Sequence, residues 1–135
     1  MIRVVLGTNI LVAGILSEHG PPGWIVDLVA VHELVVVYDS RTLAEYREVL
    51  ARPELDLDPA RVKRLLSTVE DQGILVSPLP SPVALPDRDD EPFLATAKGA
   101  GVMLVTGNAR HFPMSARGEV VVVTPREFID SLRRR

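Results

Sequence analysis

The sequence contains no cysteine. That excludes disulfides, a thiol nucleophile and any cysteine-ligated zinc or iron–sulfur centre. Aromatic residues are scarce too, at 4%, so the core must be built mainly from Val, Leu, Ile and Ala. No stretch reaches the roughly 18 uninterrupted apolar residues of a membrane span, and the apolar opening, residues 1–6, stops at Gly7, too short for a signal peptide. The expected location is the cytoplasm, with no membrane partner. An excess of positive charge is also missing. The net charge is −3, whereas a protein that holds nucleic acid through bulk charge is usually basic. If RNA is handled here, local basic spots and a metal must do it.

Several familiar chemistries are absent as well. Gly99-Ala100-Gly101 lacks the third glycine of a dinucleotide fingerprint and precedes a strand pattern, not a helix. There is no Walker loop, and no serine sits in a Gly-x-Ser-x-Gly setting. His19, His32 and His111 are scattered without metal-ligand spacing.

What is present is apolar material in an orderly pattern. At 135 residues and 47% hydrophobic, the chain reads as one domain, 1–135. Such a domain can bury roughly two-thirds of its unfolded surface. Residues 2–6, 33–38, 74–76, 102–105 and 120–123 are apolar apart from Arg3 and Glu33, as in strands covered on both faces. Helical patterns separate them. Thr8 or Asn9 is placed to cap a helix to about residue 16. A second helix spans 24–31, with Trp24, Leu28 and Val31 on one face and Trp24 expected in the core. Asp39 or Ser40 caps a third helix carrying Leu43, Tyr46, Val49 and Leu50. Asp58-Pro59 opens a fourth, with Val62, Leu65, Leu66 and Val69 inward. Residues 93–98 form a fifth, and Thr124-Pro125-Arg126-Glu127 is a capping box opening the last. The proline-spaced segment 78–86 reads as an ordered surface connector. Alternating strands and helices predict an α/β fold, a three-layer α/β/α sandwich around a parallel sheet of about five strands.

In such sheets, ligands bind beyond the carboxyl ends of the strands. Gly7, Thr8 and Asn9 follow the first strand; Asp39, Ser40 and, a turn later, Glu45 follow the second. Thr106 and Asn108 follow the fourth, and Asp87, Asp89, Asp90 and Glu91 precede the helix leading into it. Oxygen-rich groups converging on one sheet edge suit Mg²⁺ or Mn²⁺. Each residue alone has a plainer reading. The acids of 87–91 stand where a helix N-terminus favours negative charge, Glu45 lies in a charged helix, Asn108 follows a turn glycine, and His111 reads as a loop anchor beside Phe112-Pro113.

The order of these blocks carries more than any one of them. Val4-Val5-Leu6-Gly7-Thr8-Asn9-Ile10 resembles the opening of PIN-domain ribonucleases, where a strand runs into Asp-Thr-Asn. Leu43-Ala44-Glu45-Tyr46 is similar to their second acidic motif, Asp87-Arg88-Asp89-Asp90-Glu91-Pro92-Phe93 to the third, and Leu104-Val105-Thr106-Gly107-Asn108 with Arg110-His111-Phe112-Pro113 to the fourth. Val123-Thr124-Pro125-Arg126-Glu127-Phe128 resembles the close of the subgroup related to VapC toxins.

The resemblance implies a Mg²⁺- or Mn²⁺-dependent endoribonuclease, the toxin of a toxin–antitoxin pair. It implies RNA as substrate, a cognate antitoxin packed across helices beside the site, and a homodimer. It also implies site roles. Glu45 and Asp90 match the second and third acids, Asn108 the fourth position, and Asp87 and Asp89 are added candidate ligands. Thr8, Asn9 and Thr106 would position substrate. Gly7 stands where the first aspartate is expected, so the activity should be impaired. Two explanations compete: a natural residue in a weakened or inactive relative, or an Asp-to-Gly change, one base away, that relieves toxicity. The competing function is a catalytically inactive PIN-fold module that binds a partner protein.

Overall fold

Uninterrupted β-branched runs satisfy their backbone groups best as inner strands of a parallel sheet, and that is how the chain folds. The computed structural model describes residues 1–134. Its strands are Ile2–Leu6 (β1), Leu34–Tyr38 (β2), Ile74–Leu75 (β3), Met103–Val105 (β4) and Val122–Val123 (β5). They form one all-parallel sheet in the order β3-β2-β1-β4-β5. The helices are Thr8–Leu16 (α1), Pro21–Ala30 (α2), Ser40–Leu50 (α3), Pro59–Gln72 (α4), Glu91–Ala100 (α5), Met114–Arg117 (α6) and Pro125–Arg133 (α7). They cover both faces, as the three-layer expectation requires. Val4, Val5 and Leu6 of the central strand are wholly buried, as are Leu104 and Val105 beside it. Burying each such side chain stabilises by about 1.5–3 kcal/mol.

The chain builds outward from β1 through β2 to β3, then returns to lay β4 on the other side of β1. The connections therefore leave β1 in opposite directions, and a crevice opens where they diverge. Gly7 N donates to Val105 O (2.8 Å), keeping the two strand ends in register up to that crevice.

Several local expectations change. The second helix starts at Pro21, because proline is tolerated in a first turn where N–H groups lack partners anyway. Its buried face is Ile25, Val26 and Val29, whereas Val31 is 63% exposed and Trp24 and Leu28 are half-buried. The cause is the packing of α1 on α2 at Gly14, where a Cβ would lie 2.4 Å from Val26 Cγ2 and 2.7 Å from Pro22 O. That close approach fixes the rotation of α2. Trp24, expected in the core, instead lies under the guanidinium groups of Arg126 (5.8 Å) and Arg133 (5.3 Å). Neither Thr8 nor Asn9 caps α1. The cap position is Gly7, which offers no side-chain bond. On α4, Leu65 and Val69 are buried, while Val62 and Leu66 are only partly covered. The fifth helix starts at Glu91, earlier than residue 93, again with proline in its first turn. Of the three terminal arginines, Arg135 lies outside the described residues.

The other caps form as the sequence predicts. Asp39 accepts from Thr42 N (2.7 Å), Asp58 from Ala60 N (3.0 Å), and Thr124 with Glu127 makes a reciprocal box. The connector before α5 is pinned where Ser81 N donates to Glu91 Oε1 (2.7 Å) and Leu85 is buried.

Candidate functional site

Beyond the carboxyl ends of β1 and β4 lies an open cleft of about 530 Å³. Gly7, Thr8, Asn9, Glu45, Asp87, Asp89, Asp90, Thr106 and Asn108 all line it, so the residues given a site role by the resemblance reach one place, whereas Asp39, Ser40 and Glu91 do not line it. A larger hollow of about 740 Å³ between α3 and α4 is lined by Leu50, Leu57, Val62 and Leu66 with mixed charges at its rim. No group of closely spaced metal ligands stands there among the described residues, so the chemistry is not placed in it.

Each wall of the cleft is held by specific contacts. Glu45 is brought in by its neighbour Tyr46, which is fully buried and whose hydroxyl donates to Leu6 O at the end of β1. The Tyr46 ring packs on Phe93 of α5 with centroids 6.0 Å apart, locking α3 to α5. Burial drives the Tyr46 phenol well above its usual range, so it remains a donor. Glu45 in turn accepts from the Thr8 hydroxyl. The loop after β4 is set by Asn108 N donating to Thr106 Oγ1 (3.1 Å). Asn108 itself is exposed, and its side chain caps nothing.

The electrostatics are unfavourable without a cation. Burial, then Asp89, Asp90 and Glu48, raise the Glu45 pKa against the lowering effect of Thr8. Burial and Asp87 raise that of Asp90, with His111 pulling the other way. Among the described residues, two side-chain oxygen atoms are buried without a hydrogen bond, Asn9 Oδ1 and Asp90 Oδ2. Oxygen ligands that repel one another and two orphaned acceptors fit a hard dication. Among the described residues, one trio offers ligand atoms all within 4.8 Å of one another: Asp87, Asp90 and His111. Glu45 lines the same cleft but stands outside that trio.

Two acids near the cleft serve the fold instead. Asp39 and Glu91 are both held by Arg41, at 2.9 Å each. Asp87 also accepts from Asp89 N (2.9 Å), so it caps the short 3-10 turn Arg88–Asp90. His111, read from the sequence as a loop anchor, belongs to the site: its Nδ1 is 3.2 Å from Asp90 Oδ2. It lies 21 positions from Asp90 in the chain, so no local spacing could have linked them.

At Gly7 the backbone has φ −63° and ψ 148°, which any residue adopts. Glycine is therefore not required there for conformation. A Cβ would lie 3.0 Å from Asn9 Oδ1 and 3.3 Å from Thr106 Oγ1. The Asn9 side chain thus crowds the space an aspartate at position 7 would enter, and on its other side it approaches Gly107.

The chain matches the PIN domain family over residues 3–110, a span that includes every residue lining the cleft except His111 and Phe112. It belongs to the PIN-domain family. It is also similar to an uncharacterized protein of Methanocaldococcus jannaschii, 22% identical over 144 aligned positions that cover 98% of this chain and 93% of that protein. PIN domains are generally metal-dependent nucleases, so membership directs this cleft toward nucleic-acid chemistry. Among the described residues of this PIN domain, no helix is long and apolar enough to cross a membrane.

Proposed function

We propose that this PIN domain is an endoribonuclease dependent on Mg²⁺ or Mn²⁺, the toxin of a toxin–antitoxin pair, with activity impaired at Gly7. The observation that carries the reading is the convergence of Glu45, Asp87, Asp90 and Asn108 on a crevice where the buried Asn9 Oδ1 and Asp90 Oδ2 accept no hydrogen bond. Asp90, Asp87 and Glu45 would hold the ion, with Asn108 as a neutral oxygen donor. A bound dication would supply charge to polarise a phosphoryl oxygen and acidify a water. The protein's own part is positioning. Tyr46 and Thr8 fix Glu45, and the Thr106–Asn108 turn presents Asn108 at the mouth of the cleft. Arg52, which also lines the cleft, would be a local cation for an RNA phosphate once released from its ion pair with Glu48 (2.9 Å). A cognate antitoxin, a homodimer and a cytoplasmic location belong to the same reading.

Gly7 leaves the cleft one carboxylate short. The cleft then binds its ion weakly, and a poorly placed ion aligns water and phosphate badly, so the rate falls more than the affinity. The test pairs the parent with Gly7→Asp on several RNAs with Mg²⁺ and with Mn²⁺. The ordinary φ and ψ at position 7 leave the variant free to fold, provided Asn9 rotates aside. Restored, metal-dependent cleavage supports a disabled ribonuclease. A well-folded variant no more active than its parent supports the alternative, a PIN-fold module that binds a partner without catalysis.

A further inference from the structure

We propose that His111 is a direct metal ligand of this cleft, so that its cation is held by one nitrogen and two carboxylates, His111 Nδ1 with Asp90 and Asp87. The inference rests on the reading that the cleft binds a dication. It does not depend on RNA cleavage.

The geometry of the trio is that of a shared centre more than of a pair bonded to each other. His111 Nδ1 and Asp90 Oδ2 are 3.2 Å apart, yet Asp90 Oδ2 is buried and accepts no hydrogen bond. Adjacent ligands on an octahedral ion with bonds of about 2.1–2.2 Å stand about 3.0–3.1 Å apart, and opposite ones about 4.2–4.4 Å. The three ligand atoms of Asp87, Asp90 and His111 all lie within 4.8 Å of one another, which accommodates either relation.

The backbone that carries the imidazole is also held in place. His111 ends the 3-10 turn Ala109–His111, whose own bond runs from His111 N to Asn108 O (2.9 Å). The next residue, Phe112, is 2% exposed and anchors the turn in the core. Arg117 clamps both sides, donating to Phe112 O and to Ala109 O (3.2 Å). A surface histidine with only a solvation role needs no such support. A ligand does, because an ion demands its donors at fixed positions.

The choice of donor has a chemical consequence. Mg²⁺ takes oxygen, whereas imidazole nitrogen favours first-row transition ions. The cleft should therefore prefer Mn²⁺ to Mg²⁺ by more than an all-oxygen site would. It also gains a nitrogen donor beside the carboxylates of the cleft, despite the glycine at position 7.

The direct test is pulsed electron paramagnetic resonance of Mn²⁺ bound to the whole chain, where a coordinated imidazole gives a ¹⁴N modulation. The unmodified protein should show it. His111→Ala, checked for folding by circular dichroism, should lose it and bind Mn²⁺ at least about tenfold more weakly, with a smaller loss for Mg²⁺. Bound Mn²⁺ without nitrogen modulation would overturn the inference, and so would modulation that survives in His111→Ala or no Mn²⁺ binding at millimolar concentration. The first measurement needs no variant, so a misfolded His111→Ala does not protect the idea. Nitrogen modulation together with an inactive Gly7→Asp protein would leave the ligand in place and remove the nuclease. Active Gly7→Asp protein with no nitrogen modulation would do the reverse.

Discussion

Two groups of acidic side chains lie almost side by side in this protein and are treated in opposite ways. Asp39 and Glu91 have their oxygens engaged: Thr42 N and Arg41 hold the first, Ser81 N and Arg41 the second. Burial and crowding by other acids instead pull Glu45 and Asp90 upward. The first pair holds α3, the connector and α5 together. The second pair is kept close to like charges, half-buried, with one buried oxygen that accepts no hydrogen bond. Negative charge that stabilises a fold is neutralised locally, and negative charge held against its own interest marks a place awaiting a cation.

The comparison can be pressed hardest at position 7. Gly7→Asp adds a further repelling carboxylate to the cleft, yet it should raise Mn²⁺-dependent RNA cleavage by at least about 100-fold, equivalent to about 3 kcal/mol at the transition state. Gel assay of a labelled RNA reads this, and equal rates for the two proteins would break it.

The opposite result is expected from the neutralised pair. Asp39→Ala strips the cap of α3 and leaves Arg41 with Glu91 alone, and should cost about 2–3 kcal/mol in urea unfolding. A loss under about 0.5 kcal/mol would show that this pair is not structural. Tyr46→Phe comes next. Removing the hydroxyl orphans Leu6 O and should cost about 1–2 kcal/mol, while weakening Mn²⁺ binding by loosening Glu45.

Asp90→Asn has the smallest effect on folding and the opposite sign. Because the folded Asp90 carboxyl titrates above its usual 3.8, and Glu45 above 4.5, the folded protein binds more protons than the unfolded chain in the window just above those values. Without metal, stability should therefore fall as pH rises through the window. Asp90→Asn should flatten that fall and slightly raise the melting temperature at pH 7, while abolishing the gain that Mn²⁺ confers. A lowered melting temperature would mean that Asp90 is a structural acid like Asp39.

Much of this arrangement is legible in the sequence, for identifiable reasons. A buried parallel strand has nowhere to put a polar side chain, so Val4-Val5-Leu6 and Val36-Val37 announce themselves, and their order with the helices fixes the sheet edge where polar ends must gather. Caps with a side-chain acceptor, at Asp39, Asp58 and Thr124, are equally plain. What escapes are features decided by tertiary contact. The buried face of α2 depends on Gly14 admitting Val26, not on the spacing of Trp24, Leu28 and Val31. The short α6 and the turns at Pro53–Leu55, Arg88–Asp90 and Ala109–His111 are too brief to carry a period. His111 reaches Asp90 through the fold, and its neighbours Phe112 and Pro113 pointed only to an anchor.

The lone tryptophan has a practical meaning of its own. Trp24 sits on α2 beneath two arginines of α7, the last helix, and a stacked guanidinium alters both the brightness and the colour of indole emission. Its fluorescence is therefore a built-in gauge of whether the C-terminal helix is seated, read without any label. Detachment of α7 should register in that signal before far-ultraviolet dichroism records loss of the sheet, separating peeling of the chain's end from collapse of its centre.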